Sequence, residues 1–301
     1  PLHAHAYAVN EPDGTLASFS VDAKTGELTF LNRVSSGGDG PAFVAVDRSG
    51  RYVMAANYGG GTTRIFSLGA DGSLGAPTDD KAPGTKTHMI ITDPANRFAF
   101  VMNLGSDTIV QYAFDAAHGT LRPNAVPSLA TTKGAGPRHM AFHPSGKFAY
   151  VINELDQTLS SYSYAAARGQ LTWLQSVSTL ANGTSAIGVT SAEVAVAPSG
   201  HFVYGSNRSP TPGASNIATF AVDAATGKLK LLGNTPSGGD APRSFTLSAD
   251  GKLMLVANES GNVVSFAVDV ASGALHELRR IDVPPKPQFV GIVSWPVASV
   301  R

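Results

Sequence analysis

Across the 301 residues an apolar run ending on asparagine keeps returning, and this repeat limits the fold more than anything else in the chain. It appears as Tyr7-Ala8-Val9-Asn10, Tyr52-Val53-Met54-Ala55-Ala56-Asn57 and Phe98-Ala99-Phe100-Val101-Met102-Asn103. It returns as Phe148-Ala149-Tyr150-Val151-Ile152-Asn153, Phe202-Val203-Tyr204-Gly205-Ser206-Asn207 and Leu253-Met254-Leu255-Val256-Ala257-Asn258. The asparagines fall 46 to 54 residues apart. Before most of these runs lies a tight turn such as Pro144-Ser145-Gly146, and before that another apolar run. After each comes an alternating run such as Val263-Val264-Ser265-Phe266-Ala267-Val268, then an Asp-to-Gly turn and a leucine-bearing run at Leu28, Leu229 or Leu275.

Four short strands per unit, repeated at this period without helical spacing, predict an all-β chain folded as a β-propeller of four-stranded blades. A two-sheet sandwich rarely repeats so regularly. First strands should begin near Pro41, Thr87, Pro137, Ser191, Pro242 and Pro287. The chain opens in a second-type strand, so Pro287 to Val293 is expected to complete the blade of Tyr7–Asn10 and close a ring of six in one domain, residues 1–301.

Antiparallel pairing sets the start of each first strand beside the end of each second strand. Ring symmetry should then gather one position per unit at one mouth. The first such position reads Ala42, His88, Arg138, Ala192, Arg243, Gln288, and the next reads Phe43, Met89, His139, Glu193, Ser244, Phe289. Two arginines, two histidines, a glutamate and a glutamine in places that a structural ring would fill with apolar residues predict a functional pocket. Asn153, Glu154, Asn207 and Arg208 at the second-strand ends are candidate substrate contacts. The strand-end asparagines are also expected to hydrogen-bond the turn backbone that follows them.

The remaining composition narrows the function. Acidic and basic residues balance at 22 each, so no field of one sign recruits nucleic acid or a membrane surface. Without cysteine there is neither a disulfide nor a thiolate site. His3, His5, His118 and His201 lack partners at ligand spacing, so no metal or other cofactor is expected. No apolar run approaches a membrane span. A monomer is expected, in the cytoplasm or, alternatively, exported to the periplasm.

The stretch Gly136-Pro137-Arg138-His139-Met140-Ala141-Phe142-His143-Pro144-Ser145-Gly146, with Ala56-Asn57-Tyr58-Gly59-Gly60-Gly61 and Ala241-Pro242-Arg243-Ser244-Phe245, closely resembles the lactonase propeller family. Bacterial members include 6-phosphogluconolactonase, and the fungal carboxy-muconate lactonizing enzyme is a distant relative. The resemblance implies an axial cleft with His139, Arg138, Glu193, Arg243 and His88 in it. It also implies hydrolysis of a sugar-acid lactone such as 6-phosphogluconolactone. In this reading His139 or Glu193 activates water, and Arg138 or Arg243 steadies the oxyanion or a substrate anion. The alternatives are a lactonizing (cycloisomerase) reaction on an unsaturated diacid, or a non-catalytic propeller that binds a small ligand or protein. The family has seven blades where six units are countable here. The segment Gly183 to Ser191 lacks an arginine that some relatives carry, which leaves open whether the substrate is phosphorylated.

Overall fold

The computed structural model describes residues 5–293. His3 lies outside them. By its contacts the chain divides into two compact units, Pro1–Arg138 with Ala165–Leu171, and His139–Tyr164 with Thr172–Arg301.

The first unit opens on a three-stranded sheet of β1 (His5–Asn10), β2 (Thr15–Val21) and β3 (Leu28–Ser35). A four-stranded sheet follows, made of β4 (Pro41–Val46), β5 (Tyr52–Asn57), β6 (Thr62–Leu68) and β7 (Leu74–Lys81). The next is β8 (Thr87–Thr92), β9 (Phe98–Asn103), β10 (Thr108–Asp115) and β11 (Thr120–Ala130). Then come β12 (Pro137–Phe142), β13 (Phe148–Asn153), β14 (Thr158–Ala165) and β15 (Gln170–Ser178). The second unit continues with β16 (Thr190–Val196), β17 (Phe202–Arg208), β18 (Asn216–Val222) and β19 (Leu229–Pro236). The last sheet is β20 (Pro242–Leu247), β21 (Leu253–Asn258), β22 (Asn262–Val268) and β23 (Leu275–Asp282). In each sheet the strands lie side by side in chain order. These are the blades of an all-β propeller.

Burial follows strand position. Second strands such as β5 and β13 are buried along their whole length, which suits their continuous apolar sequence. Fourth strands are exposed edges, and β23 carries His276, Glu277, Arg279, Arg280 and Asp282 along its length, a charge density that discourages pairing with another chain. Turns between third and fourth strands are built alike. At Asp223 the carboxylate accepts the backbone N–H of Ala225 and Thr226, bonds that hold its pKa below the usual carboxylate range. Gly227 then turns at φ +71°, and a Cβ there would run into the ring of Phe148. Gly273 lies against Phe202 in the same way, and within the first unit Gly119 lies against Tyr52. The glycine thus supplies both the positive φ and the close approach of one blade's turn to the preceding blade's second strand.

One expectation is corrected. Pro287 to Val293 forms no strand, and among the described residues the sheet of β1 has three strands. Pro287 matches the prolines that open β4, β12 and β20, so proline is not the cause; Phe289 and Val293 stay 78% and 68% exposed, and little apolar burial offsets the cost of ordering the segment as a strand. It nevertheless begins as the other first strands do. Lys286 sits at φ +62°, where Gly136 has +66° and Ala241 +55°, and the Val290 N–H reaches the Ser244 hydroxyl at 3.4 Å.

Candidate functional site

Four of the first strands begin alike. A residue with positive φ precedes the proline or threonine: Gly40, Lys86, Gly136 or Ala241. The ladder then bulges. Pro41 faces Asn57 while Phe43 faces Ala56, so Ala42 is the extra residue. His88 and Arg243 are the extra residues in β8 and β20. In β16, Ser191 faces Asn207 and Val194 faces Gly205, so Ala192 and Glu193 share Ser206. A bulge bends the strand and re-aims a side chain out of the alternation. The positions singled out by the repeat are the ones the backbone treats specially.

The asparagines form the frame under these bulges, in a different way from the one expected. Each bonds a side chain at or near the start of the next strand, and most also bond a carbonyl in the connection before the first strand. The Asn57 amide donates to the Ser36 carbonyl at 3.2 Å and to Thr62 Oγ1 at 3.0 Å, and Asn258 donates to the Ser237 carbonyl at 3.1 Å and to Asn262 Oδ1 at 2.8 Å. Asn153 donates to the hydroxyls of Thr158 and Ser160. Asn207 accepts from Thr179 and Ser191 and donates to the Thr179 carbonyl and Asn216. Both side chains are buried, and their amide groups serve the frame.

In the second unit the acidic and basic residues assemble in pairs. His139 Nδ1 lies 2.8 Å from Glu193 Oε1, with the two side chains 8% and 17% exposed. The Glu193 oxygen also accepts the Val194 N–H at 3.1 Å, and the Glu193 N–H donates to Ser206 Oγ at 2.9 Å, which secures the carboxylate from its own bulge. An ionised carboxylate only accepts, so Nδ1 carries the proton in this contact. Arg208 pairs with Glu154 across two sheets at 3.2 Å and donates to the Ser191 carbonyl. Arg243 reaches Glu259 at a looser 3.5 Å, and Gln288 donates to the same Glu259 oxygen at 3.1 Å. Sequence reading named Glu154 and Arg208 separately, but their pairing and the role of Glu259 as a shared acceptor emerge only from the fold. Arg138 is buried, at 1% exposure. In the first unit His88 is buried edge-on to the Tyr58 ring, with centroids 5.7 Å apart.

Four-stranded blades with their strands in chain order define an all-β propeller, and in its second unit first-strand bulges display Glu193 and Arg243. The chain belongs to the family described as Lactonase, 7-bladed beta-propeller, which matches residues 1–292. It is 33% identical over 297 residues to a 6-phosphogluconolactonase of Bacillus subtilis, covering 94% of this chain and 82% of the relative. It is 30% identical over 295 residues to a 6-phosphogluconolactonase of Formosa agariphila, covering 92% and 82%. The solved structure of the periplasmic gluconolactonase of Pseudomonas aeruginosa superposes with a TM-score of 0.87 at 26% identity, over 97% of this chain and 86% of that one. The family is described with seven blades; the described residues of this chain form six sheets.

Proposed function

We propose that the protein hydrolyses the lactone of a sugar acid, such as 6-phosphogluconolactone, with His139 as general base and Glu193 as its positioning partner. The observation that carries this reading is the 2.8 Å contact between His139 Nδ1 and Glu193, because it sets the imidazole tautomer and leaves Nε2 as the basic atom. Nε2 takes a proton from water as its oxygen attacks the lactone carbonyl carbon. The carbonyl oxygen becomes an oxyanion, and the Arg243 guanidinium stabilises that charge, exchanging its loose contact with Glu259 for a charge-assisted one. Glu193 stabilises the imidazolium formed in this step. Collapse of the tetrahedral intermediate breaks the ring C–O bond, and the imidazolium returns its proton to the departing alkoxide, giving the open hydroxy acid. Arg208 and Glu154, locked to each other, and Gln288 on Glu259 are substrate contacts in this reading.

Family membership and the names of the relatives support a lactone as the substrate class. The test is a panel of gluconolactone, its 6-phosphate and an unsaturated diacid, with product followed by acid release. Hydrolysis of a sugar-acid lactone is expected. Turnover of the diacid alone would assign the lactonizing reaction instead, and turnover of none, with a ligand still bound, would assign a binding module.

A further inference from the structure

The connections before β4 and β20 carry the same tetrapeptide, Ser36-Gly37-Gly38-Asp39 and Ser237-Gly238-Gly239-Asp240. They fold alike. The serine hydroxyl bonds the carbonyl of the second glycine in both, at 2.9 and 2.7 Å, and the first glycine has φ +79° and +75°. Their surroundings differ in the loop after the framing asparagine, Tyr58-Gly59-Gly60-Gly61-Thr62 against Glu259-Ser260-Gly261-Asn262, and at one cross-strand pair. Beside the first copy, Arg64 of β6 faces Asp80 of β7, is ion-paired to it, and lays its guanidinium against Gly37. Beside the second copy the facing pair is Val264 and Arg280. Here the Val264 methyls take the place of the arginine against Gly238, 2.9 and 3.1 Å from where a Cβ would stand, and the guanidinium comes from the outer strand.

The result is an open cleft of about 440 Å³ lined by Gly213, Gly238, Gly239, Asp240, Ser260, Asn262, Arg280 and Pro236. Its polar groups are mixed in kind. Arg280 Nη2 lies 3.2 Å from where a Cβ of Gly238 would stand, and its ion pair is with Glu277, an exposed neighbour on its own strand. Ser260 Oγ accepts the Asp240 N–H at 3.0 Å, so its own proton is directed elsewhere. Asp240 accepts from the Gly213 N–H and offers further carboxylate lone pairs. This lining contains no aromatic ring on which a base could stack.

We infer that this cleft is a second ligand site, separate from His139 and Glu193, for a small polyhydroxylated acid. One guanidinium takes the ligand's carboxylate, while Asp240, Ser260 and Asn262 take its hydroxyls. A cavity of this volume suits a molecule of monosaccharide size. The site does not depend on the hydrolytic reading, because none of its lining residues acts in that chemistry.

The test is titration of gluconate into ¹⁵N-labelled full-length protein, read at the backbone amides of Gly213, Gly238 and Gly239. It is repeated in His139→Gln, so that binding at the proposed catalytic pair is scored separately. Saturable shifts at these glycines are expected in both proteins. Arg280→Met should weaken them about 10-fold or more, the scale of a lost charge-assisted contact, while Arg279→Met on the same strand should not. Glucitol, without the carboxylate, and acetate, without the hydroxyls, should each bind more weakly than gluconate. The double substitution Val264→Arg with Arg280→Asp rebuilds the plug of the first copy and should abolish the shifts. Shifts that do not saturate, or that survive Arg280→Met unchanged, would overturn the assignment.

Discussion

The lead-in to β4 and the lead-in to β20 are the same piece of backbone used for two purposes. Both run through Ser-Gly-Gly-Asp, a left-handed residue, a proline and a one-residue bulge, and in both an asparagine amide holds the serine carbonyl. The first displays Ala42 and Phe43, the second Arg243 and Ser244. The frame is therefore a structural solution, common to chemically silent and chemically armed blades. In the proposed function the difference that matters is which side chain the bulge carries.

The largest expected effect sharpens that division. Arg243→Ala should lower kcat for lactone hydrolysis by about 100- to 1,000-fold, the usual loss when an oxyanion donor is removed. Ala42→Ser, at the same point of the silent lead-in, should leave kcat within about 2-fold; surface-like changes away from chemistry carry little free energy. Equal effects at the two positions would break the comparison. Next in size, Asn57→Ala and Asn258→Ala should destabilise by similar amounts, about 1–3 kcal/mol each in urea unfolding, since each strips a buried serine carbonyl of its donor. A large effect at one and none at the other would show that the frames differ. The smallest effect is a reciprocal swap. Ala241 holds φ +55° with a Cβ, whereas Gly40 holds +57° without one. Ala241→Gly should stabilise and Gly40→Ala should destabilise, each by about 1 kcal/mol. The nearest atom to a Cβ on Gly40 is the Gly59 nitrogen at 3.4 Å, so the cost there is backbone strain and not a clash.

Much of this organisation could be read from the sequence because the repeat is simple. The asparagines at positions 57, 103, 153 and 258 end their strands as the spacing indicates, and the Asp-to-Gly turns at 223–227 and 269–273 fall between third and fourth strands. Glu193 was legible as a site residue by its alignment with His139, although the two lie 54 positions apart. The bulges were not legible. An extra residue shows itself only against the register of a partner strand, and the repeat hides it by containing it every time. The Arg208–Glu154 pair was equally hidden, because it joins the ends of two strands in different sheets. The closing strand misled for a physical reason. Lys286-Pro287-Gln288-Phe289 imitates Gly136-Pro137-Arg138-His139 and adopts its opening φ, yet Phe289 and Val293 stay exposed and little apolar burial offsets the cost of ordering the segment as a strand. Part of the difference between the two Ser-Gly-Gly-Asp copies lies in a cross-strand pair, Arg64–Asp80 against Val264–Arg280, which only strand register can align.

The central claim is that His139, fixed by Glu193, is the base. It is tested most directly by the pH dependence of kcat for gluconolactone hydrolysis in the wild-type protein and in His139→Gln, with folding checked by thermal melting. In the wild type kcat should rise with pH through a single titration, because only the neutral ring can accept the proton. In His139→Gln that rise should vanish and kcat should fall by about 100-fold or more. A folded His139→Gln protein with wild-type turnover and an unaltered pH profile would contradict the account.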